Sequence, residues 1–160
     1  MAGKSDFSVE EWDLLRQAPL MSSMVIVASD PSGPIGLMKE SVAASKVMME
    51  SAQNAQTPLL RELTQDLTRT MSVPRRPEGA GTSAIMESAL NTLRQTSELL
   101  DRKASPEEAD EIKQWLGTIA QKTAEAAKEG GFLGIGGALV SDKEKEALAS
   151  IGSALGKRAA

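Results

Sequence analysis

The sequence predicts an all-α bundle of six or seven helices, and three observations carry that reading. Apolar residues recur at three- and four-residue intervals through most of the chain, and no segment alternates with period two over a useful length. Ser-x-x-Glu cap signatures and prolines suited to a first helical turn punctuate those stretches. The large apolar residues are nearly all aliphatic: Trp12, Trp115, Phe7 and Phe132 are the only aromatic rings in the chain. A core of Leu, Ile, Val, Ala and Met suits closely packed helices, and the eight methionines make it adaptable. A length of 160 residues fits a single helical domain able to bury about two-thirds of its unfolded surface.

The elements follow in order. Ser8-Val9-Glu10-Glu11 is a capping box, with Phe7 and Trp12 at the two positions of a hydrophobic staple. It opens a short helix over about 9–17. Pro19 fits the first position of a second helix through Ala28. Asp30-Pro31-Ser32-Gly33 matches a type I turn. A helix from Leu37 to about Gln53 follows, with Ile35, Met38, Val42, Ser45 and Met49 as its apolar face and Val47 and Met48 beside it. Thr57-Pro58 caps the next helix, lined by Leu60, Leu63, Leu67 and Met71. Residues 72–81 hold two prolines and two glycines and read as a flexible loop within one bundle.

The second half begins at Thr82 or Ser83, with Ile85, Ala89, Leu93, Thr96 and Leu100 at helical intervals. Ser105-Pro106-Glu107-Glu108 is another capping box, and Ile112, Trp115, Leu116, Ile119 and Thr123 trace the face that follows. Ser141, with Glu144 three residues on, caps a last helix striped by Leu148, Ile151 and Leu155. Residues 28–40 and 127–144 echo one another as helix, glycine-bearing turn and helix. Two related helix-turn-helix halves would produce that echo, and so would the general rules by which helices stop and start.

Composition removes several kinds of chemistry. Cys, His and Tyr are all absent, so thiol catalysis, disulfides and the commonest zinc and haem ligands are excluded, and acid–base work near neutral pH loses its commonest agent. The net charge is −4, and acids outnumber bases in both halves. Without clustered Lys and Arg, nucleic-acid binding is not expected. The longest apolar run, Met24 to Ala28, is far too short to span a bilayer, and no signal-peptide pattern opens the chain. A cytoplasmic protein without a cofactor is the expectation. Neither Lys39 nor Lys128 has a serine at a diagnostic spacing, and Trp12 and Trp115 read more simply as core than as stacking platforms. The chain is therefore read as non-enzymatic.

Residues 128–144 are the most informative stretch. Five glycines, Gly130, Gly131, Gly134, Gly136 and Gly137, surround Phe132, Leu133 and Ile135. No strand precedes them and no Lys-Ser/Thr follows, so a phosphate-binding loop is not indicated. Two readings remain: a loop pressed into the core after a helix C-cap, or an apolar contact surface. On the second, the expected partner is a protein, with membrane contact through the loop as the less favoured variant. Carboxylates flank both glycine turns, namely Asp30 and Glu40, then Glu129, Asp142 and Glu144. Oxygen ligands suit Mg²⁺ or Ca²⁺, although caps and turns account for Asp30, Asp142 and Glu144.

The string Ala-Ala-Lys-Glu-Gly-Gly-Phe-Leu-Gly-Ile-Gly-Gly-Ala-Leu-Val-Ser-Asp-Lys-Glu-Lys-Glu-Ala-Leu, from Ala126 to Leu148, resembles uncharacterised bacterial helical proteins. More loosely it resembles the TerB-like (tellurite-resistance) domains, small and all-helical, in which a glycine turn leads to Ser-x-x-Glu and a closing helix. The likeness covers about residues 112–156, with a weaker counterpart at 25–47. It implies a stress-associated module and, as the alternative to an interaction surface, a hard-metal site on Glu129, Asp142 and Glu144. In those domains acids gather at the turn, whereas here only Glu129 precedes an otherwise apolar loop.

Overall fold

Ser8 accepts a hydrogen bond from the Glu11 amide at 3.2 Å while the Glu11 carboxylate receives the Ser8 amide at 2.8 Å. This reciprocal cap starts α1 (Val9–Ser29). The Phe7 and Trp12 rings close the expected staple with centroids 5.9 Å apart. The computed structural model describes residues 1–29, 33–69, 81–128 and 140–156, without the side chains of 33–41, 127 and 128. Its elements after α1 are α2 (Gly33–Asn54), α3 (Pro58–Arg69), α4 (Thr82–Lys103), α5 (Pro106–Lys128) and α6 (Asp142–Ala154). A short 3₁₀ turn at Lys4–Asp6 precedes them, and no strand occurs among the described residues.

The break expected at Pro19 does not occur, because α1 runs straight through it. A proline inside a helix forfeits the amide bond to the carbonyl four residues back, here that of Leu15. Pro19 is buried and its neighbours Leu15, Ala18 and Ser22 are buried with it. Packing along the whole of α1 therefore outweighs the missing bond, and the N1 preference is overridden by tertiary context. The cap signals elsewhere hold. Thr57 Oγ1 accepts from the Leu60 amide at 3.3 Å, and Ser105–Glu108 and Ser141–Glu144 both form reciprocal boxes.

Two helices run parallel through the middle of the bundle. α1 and α5 each pack against all five other helices. Their starts lie at the same end of the molecule, where Ala2 meets Glu108, and further along Ser23 and Thr123 share a buried hydroxyl–hydroxyl hydrogen bond at 3.2 Å. α4 returns antiparallel to α1, since Lys103 at its end bonds Glu11. α2 likewise ends beside the start of α5, where Gln56 and Thr57 bond Glu111. α6 closes the bundle against α1, α4 and α5. The core is aliphatic, with Leu15, Ile26, Leu59, Leu63, Leu93, Leu100, Leu116 and Ile119 almost wholly buried.

The stripes read for α4, α5 and α6 point inward as expected, with Ile85, Ala89, Leu93, Thr96 and Leu100 all buried on α4. The α2 stripe does not. Ala44 and Val47 are buried and Met48 partly so, whereas Val42 and Met49 are 60% and 56% exposed. A helix apolar on two sides buries the one that allows closer approach, and Ala44 supplies the smaller side chain. Leu116→Ala should lower unfolding free energy by about 2–5 kcal/mol, while Val42→Ser should change it by no more than about 0.5 kcal/mol. Urea denaturation of the two variants checks this, and equal losses would mean that α2 buries its other face.

Candidate functional site

The contact segment Gly130–Gly137, with Phe132, Leu133 and Ile135, lies outside the described residues, as do Glu129, Asp30 and the 72–80 part of the Pro/Gly loop. Both supports of that segment are visible. α5 carries Ala120, Thr123 and Ala124 fully buried close to its end. On the far side Val140 packs on the core, and α6 is anchored by Ala147, Ile151, Ala154 and Leu155. The Ser141 amide donates to Glu144 Oε2 at 2.7 Å, and Ser141 Oγ accepts from the Glu144 amide at 3.2 Å.

That cap separates the two described members of the proposed metal set. Glu144 is 1% exposed and turned inward as a cap residue. The Asp142 side chain is 96% exposed and pairs with Lys145 at 3.2 Å. The two carboxylates therefore occupy opposite environments on one helical turn. Among the described residues no group of three acids is placed to hold a metal ion. The tryptophans are both buried, as their positions on apolar faces imply.

The densest polar chemistry lies instead at the end of the bundle where α1, α3 and α5 begin. Glu108 Oε1 and Oε2 accept from the Ala2 amide at 3.0 and 3.1 Å, and Glu108 Oε2 also accepts from the Ser105 amide at 2.9 Å. Glu111 spans the α2–α3 connection, taking the Gln56 amide at 2.7 Å and the Thr57 amide at 2.9 Å. Glu62 accepts from the Lys4 amide at 2.7 Å. Asp66 receives the Trp12 indole N–H at 2.9 Å and the Lys4 ammonium at 3.1 Å, with Arg16 Nε at 3.4 Å. Lys103 bonds Glu11 at 2.6 Å and the Asp6 carbonyl at 3.0 Å. Lys113, almost buried, reaches Asp101 at 2.6 Å and straps the α4–α5 hairpin.

These acids hold structure in place, and the titration of Asp66, Glu11 and Glu108 reflects it. The Trp12 indole hydrogen bond, more than the ion pairs to Lys4 and Arg16, keeps the Asp66 carboxyl below its usual range. The hydrogen bond from Lys103 lowers that of Glu11. For Glu108, burial pushes upward, but hydrogen bonds from the Ser105 and Ala2 amides and the Ser105 side chain, with the charge of the Met1 ammonium, bring the net shift downward. The Ser-x-x-Glu signature reveals Glu108 as a cap residue. Its second role is not local, since Ala2 is 106 residues away.

Compared with known proteins, the chain matches no family model, no curated protein and no solved structure. No described helix is long and apolar enough to cross a membrane.

Carboxylates with lowered folded values stabilise above their ordinary range, and the contribution disappears as pH falls through the folded values. The urea midpoint should therefore be nearly flat from about pH 7 to pH 5 and fall below about pH 4. Asp66→Asn should lower the plateau and flatten part of the fall; an unchanged pH profile would mean that Asp66 is not a tertiary tie.

Proposed function

We propose that this chain is a non-enzymatic interaction module of the cytoplasm, with Gly130, Gly131, Phe132, Leu133, Gly134, Ile135, Gly136 and Gly137 as its contact segment and a protein as its partner. The observation that carries the reading is the contrast between this segment and its supports. Five glycines and three large apolar residues are inserted between α5, which buries Ala120, Thr123 and Ala124, and α6, which the Ser141–Glu144 box caps. Loops held on a rigid scaffold are where binding residues concentrate, and bulky apolar side chains supply most of the energy at a protein contact.

The acids at the end of the bundle where α1, α3 and α5 begin, and at the start of α6, favour the same reading. Asp66, Glu108, Glu111 and Glu144 are each committed to backbone or side-chain donors within the fold. The TerB-like resemblance of residues 112–156 is compatible with a stress-associated role for the module.

Phe132→Ser combined with Leu133→Ser should weaken capture of the partner by more than about tenfold and leave the helical circular dichroism and melting temperature unchanged. Affinity capture with the full chain as bait, quantified by mass spectrometry against the double variant, reads this. A double variant that unfolds would assign both side chains to the core and overturn the proposal.

A further inference from the structure

Few large apolar side chains are exposed among the described residues, and two of them, Val42 and Met49, share one face of α2. They stand seven residues apart, and Ser45 and Ala52, both half-buried, complete the series 42, 45, 49 and 52. Steps of three, four and three residues make the narrow seam by which a helix packs along one other helix, rather than the wider stripe by which it joins a core. α2 has its core stripe as well, since Ala44 and Val47 on its other side are buried. In the sequence the same steps run back to Met38 and Ile35. Lys46 and Glu50 line one flank of the seam, with side chains 75% and 61% exposed, and their separation of 3.8 Å leaves both charges largely to solvent.

We infer that this face of α2 is the contact by which two copies of the chain pair, antiparallel, about a two-fold axis level with Val47. The occupant is a second copy because the face is complementary to itself in that arrangement. A two-fold contact places residue i opposite j and j opposite i. With position 47 on the axis, Val42 of one copy lies opposite Ala52 of the other and Ser45 opposite Met49, so each large side chain meets a smaller one. The charges match in the same register. Along the flank the order is Glu50, Lys46, Lys46, Glu50, alternately one acid and two bases across the axis, and each ammonium has a carboxylate of either chain within reach. Those carboxylates offset the meeting of the two lysines. A lipid surface suits the face less well, because Glu50 stands beside it and the chain carries a net charge of −4. Only the second half of α2 contributes, so the contact belongs with small, weak interfaces. It is independent of the contact proposed for residues 130–137.

Sedimentation of the full chain over about 2 to about 500 μM tests the pairing, and the mass should rise from that of one chain towards twice it, with a dissociation constant of about 10–100 μM. Val42→Ser combined with Met49→Ser should weaken pairing by more than about tenfold. Both side chains are exposed, so circular dichroism and, in dilute solution, the urea midpoint should not change. Lys46→Glu alone and Glu50→Lys alone should each weaken pairing by about tenfold, since either leaves four like charges along the flank. The two together should restore the original constant to within about threefold. A chain that stays monomeric throughout, or a dimer that persists in the Val42 and Met49 double variant, would overturn the interface. Weakening by each single charge reversal without recovery in the exchanged pair would overturn the antiparallel register. Sedimentation with phosphatidylglycerol vesicles in place of pairing, lost in the same Val42 and Met49 variant, would assign the face to a lipid surface and overturn the second copy as its occupant.

Discussion

The parallel packing of α1 against α5 is the constraint on which the remaining helices depend. Parallel neighbours cannot be joined by a short turn, so the chain must cross the bundle between them, and α2, α3 and α4 make that crossing. Each of the two central helices touches every other helix, and each is buried along most of its length. Their contact is not purely apolar, because Ser23 and Thr123 bond to one another inside it. Thr123 Oγ1 donates to the Ile119 carbonyl of its own helix at 2.8 Å, so it is the buried Ser23 hydroxyl that depends on this contact for a partner. It therefore helps fix how far α1 slides along α5, which hydrophobic packing alone does poorly.

The second fixed point is the end of the bundle where these two helices start. Capping boxes usually act within one helical turn. Here their glutamates reach further: Glu11 also meets Lys103 at the end of α4, and Glu108 also holds Ala2. Three residues along α5 from Glu108, Glu111 holds the connection between α2 and α3. One end of the molecule is thus tied by charge-assisted hydrogen bonds, which are stronger than neutral ones. In the sequence, the glycine-rich segment comes directly after the other end of α5.

Much of this architecture is legible in the sequence, and the failures have physical causes. α4 is readable because its apolar residues occupy one stripe, Ile85 to Leu100, with polar residues elsewhere. α2 misleads because it is apolar on two sides: the bulkier Val42 and Met49 face solvent, while Ala44 and Val47 meet the core. Periodicity identifies an amphipathic helix but cannot choose between two stripes when close approach matters more than side-chain size. Pro19 misleads because its preference for a helix start is local, whereas burial of the whole of α1 is not. Among the candidate site residues, Ser141 and Glu144 are readable as a cap because cap and partner lie three residues apart. The ties of Glu62, Asp66, Glu108 and Glu111 are invisible locally because each partner lies more than fifty residues away.

Native-state hydrogen exchange measures the central pair most directly. If α1 and α5 form the axis of the bundle, the amides around Leu15–Ile26 and Leu116–Ala124 should be the slowest in the molecule and should exchange together, through global unfolding. Faster, separate opening of either helix while α4 or α6 stays protected would contradict the account.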